Sequence, residues 1–88
     1  MIKTVHYTKS FKKDIKALNE NEIILLKNIV KLIFNEDKLP KKLKDHQLKG
    51  DFINCRECHI KPDLLLIYKI QEEQLILVRI GSHAKLFK

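Results

Sequence analysis

The chain has 88 residues, 44% of them hydrophobic, and its 18 Lys and Arg against 11 Asp and Glu leave a net charge of +7. That length supports one hydrophobic core and excludes a second, so a single domain over residues 1–88 is expected. The composition excludes a disordered tail, apolar runs as short as Ile23–Leu26 and Leu64–Tyr68 exclude a membrane span, and the charge favours an anionic partner.

In chain order, Ile2–Tyr7 is rich in β-branched and aromatic residues and predicts a first strand. Thr8 can cap a helix to about Leu18, with Phe11, Ile15 and Leu18 on one face and Lys9, Lys12, Lys13 and Lys16 on the others. Asn19 followed by Glu22 has the form of a capping box, opening a second helix through Phe34 with the stripe Ile23, Leu26, Val30 and Ile33. So short a connection makes the two helices an antiparallel hairpin. Asn35–Lys44 is polar, holds Leu39-Pro40, and reads as a loop with a short turn at most. The periodicity then changes. Cys55–Lys61, Leu64–Ile70 and Gln74–Ile80 predict three antiparallel strands, with Pro62-Asp63 and Glu72-Glu73 at the turns and a short tail through Phe87. Segregated elements of this kind make an α+β fold with helices on one face of a sheet. Alternation along the last strand directs Ile76, Val78 and Ile80 to the helices, and Leu75, Leu77 and Arg79 to the opposite, partly open face, where a site is expected.

Cys55-Arg56-Glu57-Cys58-His59 matches the C-x-x-C-H form of c-type haem attachment. Haem attachment needs an exported chain, and Met1–His6 lacks the apolar stretch and cleavage site of a signal peptide. A cytoplasmic protein with reduced thiols is expected instead. A thioredoxin-like site belongs at a helix start, not within a strand. A zinc site completed by His46 or His83 fails on parity, because Cys55 and Cys58 project to opposite faces of a strand. No cofactor or metal is therefore expected, with Cys58 a small buried hydrophobe and Cys55 an incidental thiol.

Three of the four histidines, His46, His59 and His83, lie in the half that holds both arginines, Arg56 and Arg79, against sixteen lysines in the chain. Arginine presents a planar fork to phosphate, and histidine titrates near neutrality as acid or base. RNA cleavage needs such a set and no metal. The substrate's 2′-hydroxyl attacks the adjacent phosphorus, while the protein removes that proton, protonates the departing 5′-oxygen and stabilises the phosphorane. DNA, without the 2′-hydroxyl, should resist. His6 reads as an ordinary strand residue and Asp63 as either a turn residue or a catalytic carboxylate. A non-catalytic RNA-binding domain is the alternative that composition and spacing leave open.

Asp45–Gly50, Arg56–Tyr68 and Arg79–Phe87 together resemble the YafQ branch of the RelE toxin superfamily, in order and in spacing. The resemblance implies a RelE-like fold and a type II toxin–antitoxin toxin that cleaves messenger RNA, typically in the ribosomal A site. It also explains the C-R-E-C-H segment as strand sequence. Carried over residue by residue, the family's functional positions fall on His46, His59, Asp63, Arg79, His83 and Phe87. They imply His83 as general acid, Asp63 or His46 as base, Arg79 on the phosphorane, His59 on phosphate or proton transfer, and Phe87 against a base. Lys44, Lys49 and Arg56 join Phe87 as the expected RNA-binding set. Cys55 departs from the family in standing where a bulkier aromatic residue is common. The partners implied are an acidic antitoxin that also reads operator DNA, so that DNA is met only through the complex, together with mRNA and the ribosome. The rivals are a ParE-like toxin of the same fold, against which the three histidines argue, and a nucleic-acid-binding module without catalysis.

Overall fold

Two caps decide where the helices begin. The Thr8 hydroxyl accepts the Phe11 N–H at 3.0 Å and donates to the Val78 carbonyl at 2.7 Å, so one side chain starts a helix and ties it to a strand 70 residues away. Asn19 and Glu22 form the expected reciprocal box, at 2.8 and 3.0 Å. The computed structural model describes residues 1–87; Lys88, the last residue of the expected domain, lies outside them. The elements are β1 (Thr4–Tyr7), α1 (Lys9–Asp14), α2 (Glu20–Phe34), β2 (His46–Gln47), β3 (Arg56–Lys61), β4 (Leu64–Gln71), β5 (Gln74–Gly81) and α3 (His83–Leu86). Single 3₁₀ turns occupy Ile15–Ala17, Lys41–Leu43 and Gly50–Phe52.

The sheet runs β1-β5-β4-β3-β2, with β1 parallel to β5 and every other pair antiparallel. The larger core lies between its helix-side face and Phe11, Leu26 and Ile33, and includes Cys58, Leu66, Tyr68, Leu75, Leu77 and Ile80. A second, smaller core covers part of the opposite face, where Cys55, Leu65 and Ile67 meet Leu86, with Leu48, Phe52, Val78 and Phe87 around them.

Several expectations needed correction. The first strand starts at Thr4, because Ile2 is buried as a core plug while the Lys3 N–H pairs with the Glu73 carbonyl. The first helix tightens to a 3₁₀ turn after Asp14 instead of running as α-helix to Leu18. The β2 strand was not expected, and the tail is a capped turn of helix, with the Ser82 hydroxyl accepting the Lys85 N–H. The opposite face is partly open, as expected: the second core roofs only part of it.

The last strand departs most. Arg79 pairs with Ile67 and Leu77 with Tyr68, so Val78 is an extra residue, a bulge. Its effect is to reverse the alternation midway. Leu75 and Leu77 face the helices, Val78 enters the second core, and Ile80 returns to the first. The expected assignment therefore holds for Ile80 and Arg79, and fails for Leu75, Leu77 and Val78, and for Ile76, which lies between the two leucines and so turns to the opposite face.

Candidate active site

Because ladder partners share a face, the register lays out the site. His46 pairs with Glu57, Glu57 with Ile67, and Ile67 with Arg79, one row across four strands. The adjacent row runs His59, Leu65, Gly81. Both rows lie on the face of the second core, to which Leu65 and Ile67 belong. The bulge at Val78 brings Arg79 there.

Glu57 is at the centre and almost without solvent access, 5% exposed. Its Oε1 lies 3.2 Å from His59 Nε2 and 3.7 Å from His46 Nε2. A buried carboxylate needs partners: the His59 imidazole is within hydrogen-bond reach, and His46 becomes a second one when its Nε2 takes up a proton. His46 is oriented from behind: its Nδ1 lies 2.7 Å from the Lys44 carbonyl, which can only accept, so Nδ1 carries a proton and Nε2 faces the site. The carbonyl is available because Lys44 turns the chain with φ 51°. Asp45 anchors the same segment from the helix side, accepting Arg56 Nε and Nη2 at 2.9 and 2.6 Å and the Tyr68 hydroxyl. Burial, reinforced by Asp45, pushes the Tyr68 phenol up, so it remains a donor.

At the end of β5, the His83 N–H donates to Asp63 Oδ1 at 3.0 Å, fixing the start of α3 to the β3–β4 turn. The His83 ring stands tilted 5.0 Å from that of Phe87, and Phe87 meets Phe52 edge-on at 5.7 Å. Arg79 donates Nε and Nη2 to Asp14 at 2.7 and 3.1 Å.

His46, His59 and Arg79 are thus brought to one face by register, and Asp63, His83 and Phe87 are linked to one another at the end of β5. Lys44 and Lys49 are exposed on the segment flanking His46. Arg56 does not share that face. It pairs with Tyr68 of the first core, so strand parity turns it to the helix side, where Asp45 engages it. Parity likewise separates Cys58, in the first core, from Cys55, in the second. Burial pushes the Cys58 thiol up to about 12 and raises that of Cys55, so both stay protonated. Glu57 and Asp14 are the residues that sequence reasoning missed. The signal for Glu57 was its place two residues before His59, on the same strand face.

A basic chain whose sheet presents histidines, acidic groups and an arginine on one face, with two helices behind it, has the layout of the RelE-like α+β toxins. More specifically, the chain belongs to the family described as the bacterial YafQ toxin of type II toxin–antitoxin systems, whose model matches residues 3–88. It is 35% identical over 86 residues to the mRNA interferase toxin YafQ of Escherichia coli K12, covering 94% of each chain. A metal-bound toxin from Helicobacter pylori superposes with a TM-score of 0.88 at 47% identity, covering 99% of this chain and 100% of that one. YafQ in the E. coli DinJ–YafQ toxin–antitoxin complex superposes at 0.83 with 34% identity, covering 96% of each. Among the described residues here, no group of three or more His, Cys, Asp or Glu side chains is placed to hold a metal ion.

Proposed function

We propose that this chain is an endoribonuclease that cleaves mRNA in the ribosomal A site and is restrained by a cognate antitoxin. The observation that carries the reading is the row His46–Glu57–Ile67–Arg79 with His59 beside it: two imidazoles around a buried carboxylate, on one face with a guanidinium. The names of its relatives, an mRNA interferase and the toxin of a DinJ–YafQ complex, point the same way.

In this reading the 2′-hydroxyl of the RNA is the nucleophile, so the protein supplies only proton transfer and charge. His46 Nε2, with Nδ1 held by the Lys44 carbonyl, takes the hydroxyl proton. Electrons pass from the 2′-oxygen to phosphorus and then to the 5′-oxygen, which His83 protonates as it leaves. The products are a 2′,3′-cyclic phosphate and a 5′-hydroxyl. Arg79 stabilises the phosphorane, and His59, paired with Glu57, contacts a non-bridging oxygen. Asp63, the alternative base in the sequence, fits better as a positioning residue, because its Oδ1 holds the His83 backbone. Phe87 stacks a base, and Lys44 and Lys49 bind the RNA backbone. An acidic antitoxin would meet the same +7 surface in the cytoplasm and carry the operator-DNA contact itself.

Primer extension on a message translated by purified ribosomes tests this. Wild-type protein should produce discrete cuts, and His83→Ala should lower their rate by roughly 10²- to 10⁴-fold with an unchanged circular-dichroism spectrum. Messages left intact by the wild type, with and without ribosomes, would refute the nuclease assignment.

A further inference from the structure

Resting on that reading, we propose that Asp14, at the end of α1, is the positioning residue that presents Arg79 to the phosphate, with Lys85 as a second cation on the same carboxylate.

Asp14 is 4% exposed although charged, and it stands at the C-terminal end of a helix, where the aligned peptide dipoles disfavour an anion. Its local setting therefore does not account for it. What surrounds it does. Oδ2 accepts Arg79 Nε at 2.7 Å and the Ile80 N–H at 3.1 Å; Oδ1 accepts Arg79 Nη2 at 3.1 Å and lies 3.3 Å from Lys85 Nζ. The bidentate contact fixes the plane of the guanidinium and uses two of its five N–H groups, leaving Nη1 and one Nη2 hydrogen for substrate. Holding the adjacent Ile80 N–H, the same carboxylate also registers the guanidinium against the strand.

Gly81 supplies an independent indication. A Cβ there would come within 3.1 Å of Lys85 Cδ and 3.5 Å of Leu86 Cδ2. The missing side chain leaves room for Lys85 to lie back across β5 toward Asp14. Two cations on one carboxylate leave the cluster with a net positive charge, so it stays attractive to phosphate while its geometry is fixed.

Single-turnover RNA cleavage by wild type, Asp14→Asn, Arg79→Ala and the double variant, each below its melting temperature, decides the matter. Asn keeps the shape of Asp14 and an oxygen for the Ile80 N–H. Asp14→Asn is expected to slow cleavage ~10- to 100-fold, as misplacing a catalytic group does. In the Arg79→Ala background the same change should cost no more than about twofold, because its target is gone. Equal losses in both backgrounds, no loss in either, or faster cleavage by Asp14→Asn would overturn the proposal. A wild type that cleaves no RNA would instead sink the nuclease reading. The Arg79 Nε–H resonance of the wild-type protein tests the pairing without any variant or turnover. It should be sharp, protected from exchange, and unmoved by a cleavage-resistant 2′-deoxy oligonucleotide; exchange like that of a free arginine would overturn the proposal even if Asp14→Asn fails to fold.

Discussion

A carboxylate shut away from water is expensive to keep, and where its partners are imidazoles, which can stay neutral, its replacement by a neutral group of the same shape leaves no uncompensated buried charge. Glu57 has the imidazoles of His46 and His59 as the partners of its buried oxygen, so its cost is offset by the histidines it orders. If its purpose is the site, Glu57→Gln should lower the cleavage rate about 10- to 100-fold while the melting temperature stays level or rises. Thermal melts beside single-turnover rates separate the two roles; a lower melting temperature with an unchanged rate would assign Glu57 to the fold alone. The histidines were legible in the sequence because their chemistry is rare in a lysine-rich chain. Glu57 was not. Its meaning depends on β2, a two-residue strand that leaves no periodic trace yet sets His46 opposite it.

At the scale of elements, what was readable was local. The Thr8 and Asn19 caps, the stripe of α2 and the three long strands all depend on residues within a few positions of one another. What was not readable depends on remote partners. The bulge at Val78 exists between β4 and β5, and its spare carbonyl is taken by Thr8 from the other end of the chain. No alternation rule applied to β5 alone finds it. The second core is of the same kind, assembled from Leu48, Phe52, Leu86 and Phe87, which belong to no single pattern. The capping box offers a test of a feature that was legible. Asn19→Ala removes one half of it and should cost about 1 kcal/mol. In a chain of this length that is roughly 4–8 °C of melting temperature. Differential scanning calorimetry checks it, and a shift under about 1 °C would mean that packing of the α2 stripe, and not its cap, fixes where the helix begins.

For the whole molecule, charge acts through stability and through binding. The carboxyl of Glu22 is held below its ordinary 4.5, first by the Asn19 N–H and then by Lys61. Burial pushes that of Asp14 up, but the hydrogen bonds and charge of Arg79, the Ile80 N–H and Lys85 outweigh it and leave it below 3.8. For a carboxylate depressed in the folded state, the unfolded chain binds protons first. The stabilisation is therefore complete well above 3.8 and 4.5 and is lost as pH falls through and below those values. Melting temperatures measured from pH 7 to 2.5 should fall below about pH 4, and less steeply for Asp14→Asn; parallel curves would show that Asp14 carries none of the linkage. Binding depends on the opposite charge. With Lys44, Lys49 and Arg79 each meeting a phosphate, about three counterions are released from a single strand. At about 0.7 of log-log slope per phosphate, a rise from 50 to 200 mM salt should then weaken association roughly twentyfold. A catalytically dead His83→Ala protein, titrated with a labelled RNA oligonucleotide by fluorescence anisotropy, reads that slope. Lys49→Ala should flatten it by about one phosphate's share and leave the rate of the chemical step at saturation unchanged in the active protein. A slope that Lys49→Ala does not alter would place the RNA elsewhere on the surface, away from the row that joins His46 to Arg79.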